Sequence, residues 1–172
     1  RFGLSVTLGG GEVKLLELTN GYATFANQGQ VNEPVAILEV RDKSGKILEE
    51  VKESKSKRVI GEDVSFLISH ILSDNNARST VFGPNSFLNI SGKTVAVKTG
   101  TTDDKRDNWA VGYTPSVAVG VWVGNNDNSP MNPKIASGIT GATPIWNKII
   151  AEALFGKPAE NFNKPDNVNA IE

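Results

Sequence analysis

Three β-rich runs lie close together in the second half of this chain: Thr94–Thr99, Asn108–Tyr113 and Val117–Val123. Only Thr114-Pro115-Ser116 separates the last two, a spacing that reads as an antiparallel hairpin. Whatever else the chain does, it must bury the faces of this small sheet, and its helical patterns are the material available to do so.

Three segments carry helical signals. In "GGGEVKLLELTNGYATFANQG" the apolar residues Leu15, Leu18, Tyr22 and Phe25 form a stripe that stops near Gly29. In "GEDVSFLISHILSDN", Val64, Leu67, Ile68, Ile71 and Leu72 recur at i, i+3, i+4, i+7 and i+8 and predict an amphipathic helix. "TPIWNKIIAEALFG" offers Thr143 as N-cap, Pro144 at the first helical position and Gly156 past the end. "PVAILEVRDKSGKILEEV" holds two short apolar runs around Asp42–Gly45, a second hairpin signal, and "KESKSKR" reads as a charged connector. Residues 73–92 are rich in Asn, Ser, Gly and Pro and read as a loop, as does "GNNDNSPMNP". The expected architecture is α+β, an antiparallel sheet of three strands covered by helices. Residues 1–157 form its body and residues 158–172 an Asn- and Pro-rich tail that hugs the surface or frays.

Composition excludes several classes of function. At 172 residues the chain can build one domain with a real core. A formal net charge of −1 leaves no electrostatic footprint for nucleic acid. With no Cys and one His, thiolate metal sites and a His-built zinc centre are ruled out, and no cofactor is implied. No apolar run approaches the roughly 18 residues of a membrane helix. The sequence begins at Arg1 with no initiator Met and reads as a piece of a longer protein.

Some local motifs lead nowhere. Gly92-Lys93-Thr94 ends like a phosphate-binding loop, but Phe87 stands where that motif needs Gly and a strand follows instead of a helix. "LGGGEV" could cradle an anion at a helix N-terminus but reads more simply as a flexible entry. His70, with Ser69 and Asp74 nearby, reads as a solvent-facing histidine, and Asp103, Asp104 and Asp107, offset by Lys105 and Arg106, as a solvated turn.

One stretch stands apart. Lys98-Thr99-Gly100 is a K-T-G box at the end of a strand. Thr101 follows, then Asp107-Asn108-Trp109, Gly112-Tyr113-Thr114-Pro115 and Val121-Trp122-Val123-Gly124 at short spacings. In that order they resemble the C-terminal half of the transpeptidase domain of class A (bifunctional) penicillin-binding proteins. "LGGGEVKLLELTNGYATFANQG" is similar to that family's helix after the active-site centre, and "SGITGATPIWNKII" to its closing loop and last helix.

Residue chemistry suits that resemblance. Strand alternation puts Lys98 and Gly100 on one face and Val95, Val97 and Thr99 on the other. Lys98 can supply positive charge beside a nucleophilic serine and toward a substrate carboxylate. Gly100 lets a substrate backbone lie along the strand edge. The resemblance implies that Thr99 and Thr101 hydroxyls bind the carboxylate, and that the Thr101 N–H is one of two oxyanion-hole donors.

The same resemblance implies a serine-type D,D-transpeptidase that cross-links peptidoglycan stem peptides and is acylated by β-lactams. Its place is the cell envelope, outside the cytoplasm, with an N-terminal membrane anchor and a fused glycosyltransferase. Two family motifs are expected elsewhere. Ser54-Lys55-Ser56-Lys57 spells S-x-x-K, but in a charged connector, and Ser73-Asp74-Asn75 spells S-x-N, but too close before Lys98. The nucleophile, two further strands and the N-terminal half of the domain are therefore expected upstream of Arg1, leaving this chain inactive alone and prone to self-association. Rival readings are a β-lactamase or sensor of the same fold, and a non-catalytic β-lactam-sensing or cell-wall-binding domain.

Overall fold

The computed structural model describes residues 3–52, 55–132 and 140–169. Its centre is the expected meander: β5 (Ala96–Thr101), β6 (Asp107–Tyr113) and β7 (Ala118–Gly124), in the order β5-β6-β7 and antiparallel throughout. The connections are too short for the crossover a parallel pair requires. Four short strands precede it: β1 (Gln30–Val31), β2 (Glu39–Arg41), β3 (Ile47–Glu50) and β4 (Lys57–Arg58). β2 and β3 form the hairpin around Asp42, whose carboxylate accepts from the Ser44 and Lys46 N–H groups. The "KESKSKR" connector is not wholly irregular, because its last two residues pair as β4 with β1.

The described residues form four α-helices, α1 (Leu15–Ala26), α2 (Glu62–Ser73), α3 (Asn75–Phe82) and α4 (Ala142–Ala153), of which α1, α2 and α4 pack on the sheet. Register sorts the sheet side chains onto two faces. Val97, Thr99, Thr101, Asn108, Ala110, Gly112, Val119 and Val121 share one, and α4 covers it. There Trp146 and Ile150 of α4 are fully buried with Val97, Ala110, Val121, Leu88 and Ile90. Ala96, Lys98, Gly100, Trp109, Val111, Tyr113 and Gly120 share the other, against α1 and α2.

One glycine on each face admits a helix. A Cβ on Gly112 would collide with the Trp146 ring and sit 2.8 Å from the Ala96 carbonyl oxygen. A Cβ on Gly120 would collide with Thr19 Oγ1 and lie 3.1 Å from Leu15 Cδ1. Both helices pack at van der Waals distance from backbone that has nothing to yield.

Three expectations need correction. Residues 73–92 contain a helix, α3, nucleated by Asp74, whose carboxylate accepts from the Asn76 and Ala77 N–H groups. Its sequence, "NNARSTVF", has almost no apolar period, so the cap rather than a stripe defines it. The buried face of α2 is also different. Val64, Leu67 and Ile71 are exposed, while Ser65 and Ser69 are buried. These serines donate back to the Gly61 and Ser65 carbonyls, which removes their polar cost and lets the helix approach the sheet closely. Finally, α4 starts at Ala142 after Gly141, and Thr143 lies inside it without serving as the cap.

Tyr113 ties the pieces together. Its ring is fully buried, its hydroxyl lies 3.0 Å from Ser69 Oγ of α2, and its centroid is 6.1 Å from Tyr22 of α1. From the C-terminal tail, Phe162 meets it edge-on at 5.5 Å. The tail also bonds through Asn161 to Thr94 and through Glu160 to Ser116, so within the described residues it lies along the surface.

Candidate active site on the edge of strand β5

β5 runs through Thr101, past the point where the apolar residues stop at Val97. Lys98 therefore sits mid-strand, opposite Val111, with Gly100 opposite Trp109. As an end strand in the order β5-β6-β7, β5 offers one backbone edge that no described strand pairs. The Thr102 N–H bonds the Asp107 carbonyl across to β6 at 3.1 Å. Ladder alternation then turns the N–H and C=O of Thr99 and Thr101 away from β6, toward the unpaired edge.

Lys98 and Gly100 point to the α1/α2 face and Thr99 and Thr101 to the α4 face. The Lys98 side chain is exposed and its Nζ donates to the Thr99 carbonyl at 2.6 Å. No ion pair to Lys98 is found among the described residues, so its charge is not neutralised by a carboxylate. Gly100 leaves open the space beside Trp109: a Cβ there would touch only the Trp109 side chain, at 3.6 Å or more. The strip is thus a cation, a bare backbone position and two hydroxyls along one accessible edge.

The turn that follows is held by Asp107. Its carboxylate accepts from the Trp122 indole at 2.8 Å and from the Thr102 hydroxyl at 3.0 Å, while its N–H donates to Thr102 Oγ1 at 2.8 Å. Asp104 and Lys105 both take positive φ to close the turn, and Arg106 pairs with Asp104 at 3.5 Å. These bonds account for Asp104 and Asp107 as turn residues, Asp103 lies in the same turn, and the described residues contain no group of three or more side chains able to hold a metal.

The other sequence candidates find structural roles. Ser69 is buried and bonded to Ser65 and Tyr113, and His70 is exposed and stacked on Phe66 at 5.6 Å. The Ser73 hydroxyl donates to the His70 carbonyl, and Asn75 bonds the Pro84 carbonyl and Arg78. The S-x-N letters are thus taken up in joining α2 to α3. Ser54 lies outside the described residues; Lys57 is exposed in β4. Lys93 donates to the Lys157 carbonyl, which assigns the phosphate-loop lookalike to holding the tail. The glycine run at Gly9–Gly11 ends before Lys14, the residue that caps α1. A hollow of about 170 Å³ lies among Phe25, Glu62, Phe66, Ser69 and Phe162, away from the β5 edge.

Sequence reasoning gave no role to Asn108. It is fully buried and its amide reaches both β5 and the N-terminus of α4. An amide at the start of an otherwise apolar strand was the available signal.

Residues 3–151 match the family described as "Penicillin binding protein transpeptidase domain". Penicillin-binding protein 2D of Bacillus subtilis is 32% identical over 97% of this chain, and penicillin-binding protein 1A of Aquifex aeolicus 34% identical over 94%. The solved penicillin-binding protein PonA1 from Mycobacterium tuberculosis superposes with a TM-score of 0.77 at 26% identity, covering 95% of this chain and 44% of that one. This chain belongs to the penicillin-binding protein transpeptidase domain family, as the class A resemblance implied. It spans only 24% and 21% of those two curated relatives.

Proposed function

We propose that this chain is the C-terminal part of a peptidoglycan D,D-transpeptidase and supplies the substrate-binding edge of its active site. Residues 1–157 belong to the domain and residues 158–172 are its tail. A single observation carries the reading: β5 exposes an unneutralised lysine and the backbone of Thr99 and Thr101 along an edge free of any described partner strand.

A substrate peptide or β-lactam would lie along that edge. Lys98 and the Thr99 and Thr101 hydroxyls would receive its carboxylate, and the Thr101 N–H would receive the developing oxyanion, an interaction worth roughly 3–4 kcal/mol in acyl transfer. Acylation also needs a serine with a base in hydrogen-bond reach. Among the described residues, Ser65, Ser69 and Ser73 spend their hydroxyl protons on backbone carbonyls. We assign the nucleophile to another part of a longer, envelope-anchored protein that also carries a glycosyltransferase.

Intact-mass spectrometry with excess benzylpenicillin tests this. The full-length protein should gain one penicilloyl group on a serine outside this sequence, and this chain alone should gain none. An adduct on any serine of residues 1–172 overturns the assignment of the nucleophile. A full-length protein that binds stem peptides but is never acylated would mark a non-catalytic sensor or wall-binding domain.

A further inference from the structure

The structure assigns Asn108 a role that the family motif does not give it: we propose that it is a positioning residue that aims the Thr101 hydroxyl proton at the incoming carboxylate. The inference rests on the reading of the β5 edge given above.

The orientation of the Asn108 amide is fixed at both ends. The Ala142 N–H, the first of α4, can only donate, and it lies 2.6 Å from Oδ1. The Gly100 carbonyl can only accept, and it lies 3.4 Å from Nδ2. No flip of the amide satisfies both, so Nδ2 must be the atom that faces Thr101 Oγ1, at 3.0 Å. The side chain is 0% exposed and has no room to turn: a Cβ on Gly141 would lie 2.5 Å from Oδ1.

A threonine hydroxyl has one proton and two lone pairs. With one lone pair occupied by Asn108 Nδ2–H, the proton cannot point inward and is left for a partner outside the fold. Thr101 is exposed on the accessible edge of β5, so that partner is whatever occupies the edge. An anionic acceptor there receives a donor already oriented, and no proton has to be reoriented on binding. The register supports the same pairing: Thr101 and Asn108 are directly opposed at a position where the ladder makes no backbone bond, which brings their side chains close.

The discriminating variant is Asn108→Asp in the full-length protein. A carboxylate keeps an acceptor for the Ala142 N–H and is favoured at a helix N-terminus, so α4 stays capped. It offers Thr101 only an acceptor, and the hydroxyl proton turns inward. Acylation by labelled benzylpenicillin should slow roughly 10- to 100-fold, the range for losing a hydrogen bond to a charged group. The wild-type-to-Asp ratio should be much smaller for the penicillin methyl ester, which has no anion. In a Thr101→Val background, Asn108→Asp should cause no further loss.

Wild-type acylation combined with an unaffected Asn108→Asp variant overturns the inference alone. So does an equal loss in the Thr101→Val background, which would assign the effect to charge. A wild-type protein that is not acylated overturns the reading of the site, and this inference with it. Should Asn108→Asp not fold, exchange of the Asn108 side-chain amide protons in Thr101→Val decides: faster exchange than wild type supports the pairing, and unchanged exchange overturns it.

Discussion

Tyr113 makes the stability of this fold depend on alkaline pH in a way that can be worked out. Burial among α1, α2 and the tail pushes its phenol from the usual 10.0 up to about 12. Below pH 10 the group is neutral whether the chain is folded or not. Between 10 and 12 the unfolded chain ionises while the folded one keeps its proton, so unfolding is increasingly favoured. The stability contribution is complete below the unfolded pKa and is lost as pH rises toward the folded one. Two pKa units correspond to about 2.7 kcal/mol.

Tyr113→Phe removes that dependence and the bond to Ser69, at a cost of about 1 kcal/mol at neutral pH. The two effects have opposite signs, so the variant should start less stable and become more stable than wild type near pH 11, by roughly the same linkage arithmetic. Urea unfolding followed by tryptophan fluorescence from pH 8 to 11.5 is the measurement, in steps of about half a unit. Parallel stability curves with no crossing would show that Tyr113 ionises as easily folded as unfolded, and would refute the argument from burial.

Gly112→Ala should destabilise by about 1–3 kcal/mol, because the new methyl meets the Trp146 ring and the Ala96 carbonyl; calorimetry reads this as a lower Tm. Asp74→Ala should cost about 1 kcal/mol and speed hydrogen exchange at the Asn76 and Ala77 amides, whose bonds it removes. Lys98→Ala in the full-length protein should slow penicillin acylation at least tenfold with little change in Tm, since among the described residues the exposed side chain bonds only the Thr99 carbonyl. Unchanged acylation would remove Lys98 from the site.

Local signals in the sequence were read correctly where the partner was local. The meander followed from β-rich runs with short gaps, α1 from an apolar stripe, and the existence of α4 from the turn residues at its ends. What failed was decided through space. α2 turns Ser65 and Ser69 inward because their hydroxyls are satisfied along their own helix, which no hydropathy period records. The start of α4 is bonded by Asn108, distant in sequence, so the nearby Thr143 and Pro144 suggested the wrong boundary. β1 and β4 are two residues each and exist only as a pair. The K-T-G strip was legible for the opposite reason: cation, glycine and hydroxyls are consecutive, and strand alternation alone distributes them between faces. Asn108 joins it only after folding.

The contact between Thr19 of α1 and the bare Gly120 of β7 also sets a schedule for synthesis. β5, β6, β7 and α4 leave the ribosome in succession, and each can close on a neighbour made moments before. α1 cannot. Its surface must wait for a strand that lies roughly a hundred residues downstream, about 5–20 s at ordinary elongation rates. Throughout that interval Leu15 and Thr19 lack the β7 backbone they pack against. A slowly translated stretch between α3 and β7 would lengthen the time this face of α1 spends without β7.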